Sequence, residues 1–197
     1  IHRLAGAAYG THLGDQIALV SVPLVAALAF NASAELIGLL VACQSMAHLL
    51  GSIPFGMLVD RRQLRSLAIT SSLIALSGFT GAGFGVWTGS VVWFGAGITL
   101  AGFGTVLFAL SALSILPKAV PPAGLARANA AIETPKALCS FAVPLVVGLI
   151  VARVPAPLIY AAAACAALVA LAFTASLPAF ETSQAPRVSR ITRILEG

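Results

Sequence analysis

The sequence predicts an all-α fold, a polytopic bundle of six membrane-crossing helices, and three observations predict it. Of 197 residues, 59% are hydrophobic and only 9% charged, against roughly 25% charged in a soluble domain. The mean hydropathy is +1.02, and too little polar surface remains to face water. The uncharged stretches are also long. Ser66 to Pro117 is a run of 52 residues without Asp, Glu, Lys or Arg, Leu36 to Val59 one of 24, and Val154 to Phe180 one of 27. A spanning helix needs about 20 apolar residues, so the longest run holds two helices and a turn. Finally, the few charges gather in short breaks between the apolar runs, where orientation signals belong. That distribution, and not nucleic acid, accounts for the net charge of +5.

The spans follow in order. Leu4–Phe30 ends at Asn31-Ala32-Ser33-Ala34, with Ser33 a candidate N-cap for the second span, Leu36–Val59. Ser66–Trp87 and Val91–Leu116 are parted by Thr88-Gly89-Ser90, which sets both tryptophans, Trp87 and Trp93, at one water boundary. Pro117 and Pro121-Pro122 close the fourth span. Ala126–Ala152 and Ala156–Leu177 are separated by Pro155 and Pro157. Short connections predict antiparallel packing of sequential helices. Glycines line spans 3 and 4 (Gly78, Gly81, Gly83, Gly85; Gly95, Gly97, Gly102, Gly104), with Gly81 and Gly85 a small-xxx-small step for close helix approach. Span 6, nearly all Ala, Val and Leu, reads as a peripheral helix against lipid. Cys43, Cys139 and Cys165 fall inside spans and read as small packing residues.

Lys and Arg fix the expected orientation. One side carries Arg3, Arg61, Arg62, Arg65, Lys118, Arg127, Arg187, Arg190 and Arg193; the other carries only Arg153. Both ends of the chain are thus expected in the cytoplasm, in a multi-pass protein of the cell (inner) membrane. Residues 1–178 form the six-helix unit, and 179–197 a basic cytoplasmic linker. The start at Ile1 and the finish at Ile194-Leu195-Glu196-Gly197 read as an excerpt of a longer chain, and no cleavable signal stands at the front.

Ionisable side chains at bilayer depth cost at least about 2.5 kcal/mol on insertion scales and point to function. Asp15 lies 12 residues past Arg3, roughly 18 Å along a helix and near the midplane. His12 is three residues earlier on the same face. Gln44 and His48, four apart in span 2, could complete a polar pocket with them. Glu133 and Lys136 flank Pro135 about two turns inside span 5; spaced i and i+3, they read first as a structural pair and second as part of an inward mouth. Asp15 and its neighbours are the candidates for handling a proton or a substrate, and a structural Asp bonded to His12 or backbone is the competing reading. No nucleotide-binding loop is present, nor any His/Cys cluster with metal spacing. The expectation is coupling to protons or another ion, without cofactor or metal.

The loop Gly56-Met57-Leu58-Val59-Asp60-Arg61-Arg62-Gln63-Leu64-Arg65 resembles the signature of the major facilitator superfamily, G-x-L-a-D-r-x-G-r-[KR]. Gly56, Leu58, Asp60, Arg61 and Arg65 match, while Gln63 replaces a glycine and Leu64 a basic residue. Gly56 suits close approach of a helix, and Asp60 can cap a facing helix or pair with Arg61 or Arg65. The resemblance implies half of a twelve-helix fold built from 3+3 inverted repeats, a second six-helix half in the same chain, and a latch at Asp60 and Arg65 that gates the outward-open state. Leu13-Gly14-Asp15 with Pro23-Leu24, and Leu116-Pro117-Lys118-Ala119-Val120-Pro121 with Leu125-Ala126-Arg127-Ala128-Asn129-Ala130, are similar to exporters related to enterobactin and macrolide efflux proteins. Pro144 and Gly148 alone remain of an antiporter G-P-x-x-G-G pattern in span 5. The function so implied is proton-coupled efflux of small amphipathic molecules by alternating access. An uptake carrier of the same superfamily is the alternative. An intramembrane enzyme would need a nucleophile elbow such as G-x-S-x-G, which is missing, and a non-catalytic scaffold leaves Asp15 and the latch loop unexplained.

Overall fold

The computed structural model describes residues 1–180 and contains six helices: α1 (His2–Phe30), α2 (Ala34–Val59), α3 (Leu64–Thr88), α4 (Val91–Ala119), α5 (Leu125–Ile150) and α6 (Ala156–Ala175). All six are long and apolar enough to cross a membrane. Arg187, Arg190, Arg193 and nearly all of the expected linker lie outside the described residues.

Local chemistry sets the ends. Ser33 caps α2 through its hydroxyl, which accepts from the Leu36 amide at 3.3 Å, and Ser90 caps α4 by accepting from the Trp93 amide at 3.4 Å. Asn31 (φ 48°) and Gly89 (φ 69°) end α1 and α3 in the left-handed region. Asn and Gly are the residues that enter it at least cost. Gly89→Ala is therefore expected to lower stability by about 1 kcal/mol, read as an earlier thermal transition in detergent. Pro117 does not stop α4. It lies in the last turn and the helix runs on to Ala119, since one proline removes one donor without forcing the final turn open. A 3₁₀ turn at Pro122–Gly124 then leads into α5.

Sequential helices do not simply pack as neighbours. The α3–α4 pair does, most extensively of all, but the other large contacts are α1–α6, α3–α6, α2–α4 and α1–α5. Short turns dictate antiparallel direction without dictating which faces meet. The pattern maps onto itself when α1, α2, α3 are exchanged for α4, α5, α6: α1 meets α5 and α6 as α4 meets α2 and α3. Lengths agree as well, 29 residues for both α1 and α4 and 26 for both α2 and α5. The bundle is thus a 3+3 repeat, α1–α3 matched by α4–α6. α4 is the most buried helix, α2 and α5 the least, and α6 keeps one face open while the other packs on α1 and α3.

Glycine is what lets α3 and α4 touch. A Cβ on Gly78 would stand 2.7 Å from the Gly97 carbonyl, and one on Gly104 2.6 Å from the Ala75 amide; added at Gly97 or Gly85, it would run into the backbone amides of Ala82 or Phe94. Gly81 is not part of this seam, because its nearest neighbour, the Gly97 Cα, is an ordinary 3.8 Å away. The working spacing is seven residues (78 and 85, 97 and 104), not the expected four. Gly10 brings α1 equally close to α6 at Ala166 and Ala170.

Polar links reinforce the α6 contacts, as hydroxyls do between helices in lipid. Ser21 donates to the buried Tyr160 hydroxyl at 3.1 Å, and Ser72 lies 3.3 Å from Thr174. Tyr160→Phe should cost about 1 kcal/mol by stripping Ser21 of that partner, measurable by thermal unfolding of the purified protein. At the C-terminal end of α6, just past Thr174, Arg3 donates to the Ser176 carbonyl and Arg65 to the Ala175 carbonyl at 2.8 Å. Both guanidinium groups thus meet the negative end of the α6 dipole.

Candidate functional site

The apolar core is split along the bundle. One cluster gathers Leu4, Val59, Leu64, Phe108, Ile115 and Ala128; another gathers Val22, Leu40, Phe79, Phe94, Ile98 and Tyr160. On α1 the first ends at Ala8 and the second begins at Ala18, and on α4 the gap falls between Ala101 and Leu107. Polar side chains occupy that gap.

Asp15, fourteenth of 29 residues in α1, faces Thr105, fifteenth of 29 in α4. The Thr105 hydroxyl is turned toward the acid, and its nearest backbone acceptor, the Ala101 carbonyl, is a distant 3.4 Å. The imidazole of His48 on α2 and the ammonium of Lys136 on α5 lie within electrostatic reach of Asp15. His12 lies in the field of Lys136 and Glu133 and meets the Phe108 ring edge-on, with centroids 6.4 Å apart. Four helices, α1, α2, α4 and α5, thus converge on one polar layer, while α3 and α6 stand behind them.

α2 joins this layer because Gly102 leaves room for it. A Cβ there would come within 3.0 Å of Ala47 and 3.4 Å of the Gln44 carbonyl. His48 is held one turn above Gln44, its Nδ1 3.2 Å from the Gln44 carbonyl. Gln44 is 2% exposed, yet its Oε1 has no hydrogen-bond partner. An orphaned acceptor of this kind costs about 1–3 kcal/mol, and this one sits beside the ionisable cluster.

The structure brings together five of the six expected polar residues, His12, Asp15, His48, Glu133 and Lys136, with Gln44 adjoining. Two expected pairings fail. Among the described residues no ion pair joins Glu133 to Lys136: both are exposed on α5, and the Lys136 charge lies within electrostatic reach of Asp15 and His12. Among the described residues His12 is likewise not the partner of Asp15, whose side-chain contact is with Thr105. Thr105 went unseen in the sequence because one Thr among several in a glycine-rich, charge-free run carries no signal. Its position in α4, matching that of Asp15 in α1, is the clue that would have found it.

The charged loop between α2 and α3 also departs from expectation. Asp60 is exposed at the C-cap of α2, and among the described residues it forms no ion pair with Arg61 or Arg65. Arg65 is occupied instead with the end of α6, and its buried Nε has no partner. Gly56 has nothing within 4 Å of a built Cβ, so no helix of this bundle makes the close approach expected there. Gly148 is equally open, and Pro144, inside α5, faces outward beside it.

Comparison with known proteins agrees with this architecture. No curated protein sequence matches the chain. Among solved structures, the inward-open xylose transporter XylE from E. coli superposes with a TM-score of 0.76 at 16% identity, over 91% of this chain and 48% of that one. The chain therefore spans about half the length of that transporter and has the fold of one of its halves. The profile of the Major Facilitator Superfamily matches residues 4–193. With six membrane-length helices and a family profile over almost its whole length, the chain is a multi-pass membrane protein and belongs to the major facilitator superfamily.

Proposed function

We propose that this chain is the N-terminal half of a secondary active transporter that exports small amphipathic molecules in exchange for protons. The observation that carries the reading is the polar layer: Asp15, Thr105, His48 and Lys136, from four helices, meet at mid-length between two apolar clusters. Ionisable groups are retained at that depth where an ion or substrate passes, and in folds of this kind substrate sites lie near the bilayer midplane between repeats.

In this mechanism Asp15 carries the exchanged proton. Thr105 orients its carboxylate, and His48 and Lys136 stabilise the ionised form when the proton has left. The unfilled Gln44 acceptor and the exposed Glu133 offer hydrogen-bonding positions to a substrate. A second six-helix half closes the cavity from the open side of α2 and α5, where Leu49, Ile53, Phe141 and Leu149 are the large exposed residues. Pro144 and Gly148 give that half a smooth face on α5. Gly56 leaves space for one of its helices, and Asp60, Arg61 and Arg65 form the latch. Asp60 stands at the negative end of its own helix, an unfavourable place for an acid, which favours a partner beyond this half. The end carrying Arg3, Arg61, Arg62, Arg65, Lys118 and Arg127 faces the cytoplasm across the inner membrane.

Reconstitution of the full-length protein tests the reading. A proton gradient should drive a lipophilic cation such as ethidium out of the vesicle compartment that corresponds to cytoplasm, and a protonophore should stop it. Movement in the opposite direction would favour an uptake carrier, and indifference to the gradient would end the proton-coupled proposal. Orientation has its own test. Gln63→Cys, with Cys43, Cys139 and Cys165 replaced by Ala, should react with an impermeant maleimide only in inside-out vesicles.

A further inference from the structure

α5 and α6 are joined by a short turn, yet they scarcely touch, because each packs on α1 instead. Between them lies a groove of about 410 Å³ floored by Leu13 and Ile17 of α1, walled by Val146 and Ile150 of α5 and by Leu158 and Ala162 of α6. Its lining residues are all aliphatic. Along α5 the groove runs from Ala142 to Ile150, about 12 Å at 1.5 Å per residue. That is close to one leaflet, half of a hydrocarbon core of about 30 Å.

The groove reaches Val154 in the α5–α6 turn, and Arg153 is the residue just before it. Among the described residues it is the only Lys or Arg at the end of the bundle that holds the α1–α2, α3–α4 and α5–α6 turns. Its side chain is exposed, and its hydrogen bond, to the Leu149 carbonyl in the last turn of α5, is a long 3.4 Å. A leaflet-deep apolar channel with one exposed, weakly bonded guanidinium beside its end matches a molecule with an aliphatic chain and an anionic head.

We infer that the α1–α5–α6 groove is a binding site for an anionic phospholipid, one acyl chain lying against Leu13, Ile17 and Ala162 and the headgroup phosphate on Arg153. The site lies on the opposite side of α5 from the polar layer's open face, and it does not depend on the transport reading. Complementary charge selects the occupant, since a zwitterionic lipid would fill the same groove but carries its own cation to compete for the phosphate.

Thermal unfolding of the purified, delipidated full-length protein provides the test. Phosphatidylglycerol at saturation should raise the midpoint by at least about 5 °C, and phosphatidylcholine by less than half of that. Arg153→Gln should erase the difference between the two lipids, and Arg153→Lys should restore much of it. Ala162→Trp, a substitution at an exposed lining position, should fill the groove and reduce the response to both lipids. Equal shifts with the two lipids in the unaltered protein, or a preference that survives in R153Q, would overturn the anionic headgroup assignment. Full lipid response in A162W would overturn the groove as its seat. A shift with glycerol 3-phosphate, which has the charge without the chains, would show a soluble anion as the ligand and also overturn the proposal.

Discussion

Asp15→Asn in the full-length protein is expected to abolish movement of substrate against a gradient, at least tenfold below the unaltered rate, while insertion and thermal stability stay unchanged. The amide has the same size as the carboxyl and presents a carbonyl to Thr105, so packing in the layer between the two apolar clusters is preserved. Only the ability to lose a proton disappears. His48 and Lys136 then face a neutral group, and the electrostatic difference between the loaded and the empty state vanishes with it. Downhill exchange of substrate should persist, because it needs no net proton movement. The measurement is paired: uphill transport under an imposed pH gradient, and equilibrium exchange without one. Unaltered uphill transport in D15N would remove Asp15 from the mechanism. Loss of both together with a lower unfolding temperature would reduce it to a structural acid.

The largest effect on stability is expected from Gly97→Val. The seam between α3 and α4 is backbone against backbone, and a Cβ at Gly97 would meet the Gly78 carbonyl at 2.7 Å, the Ala82 Cα at 2.8 Å and the Ala82 amide nearer still. Backbone atoms in two paired helices cannot rotate aside as a side chain can. The two helices must separate, and α4, the most buried helix of the bundle, loses its main contact. The cost is about 3 kcal/mol, the upper end for overpacking, or roughly 10 °C in the unfolding midpoint. Gly81→Ala is the control, with 3.8 Å of clearance to Gly97. If both substitutions lowered the midpoint equally, helix propensity and not close approach would be what these glycines supply.

The contrast between Gly81 and Gly97 also shows what the sequence could reveal. Membrane insertion, helix number and most helix ends were legible, since they depend on local quantities: charge-free length, proline, left-handed caps at Asn31 and Gly89. The polar layer was legible in outline for the same reason, because Asp15, His48 and Lys136 are each conspicuous in an apolar span. What the sequence hid was pairing. Whether Lys136 turns to Glu133 three residues away or to Asp15 on another helix depends on how α1 and α5 cross, and nothing local encodes that crossing. Arg65 is the same case. Its neighbour in the chain is Asp60, but its partner in space is a carbonyl 110 positions later. The α5–α6 groove is a product of assembly alone.

The grip of Arg3 and Arg65 on the last carbonyls of α6 has a mechanical meaning. It fixes the point of departure of whatever chain follows, so a pull applied downstream is shared with α1 and α3 before it can unravel the final turn of α6. Severing both moorings, with Arg3→Ala and Arg65→Ala together, should let the final turn of α6 fray, read as faster amide hydrogen exchange there while the rest of the bundle stays protected.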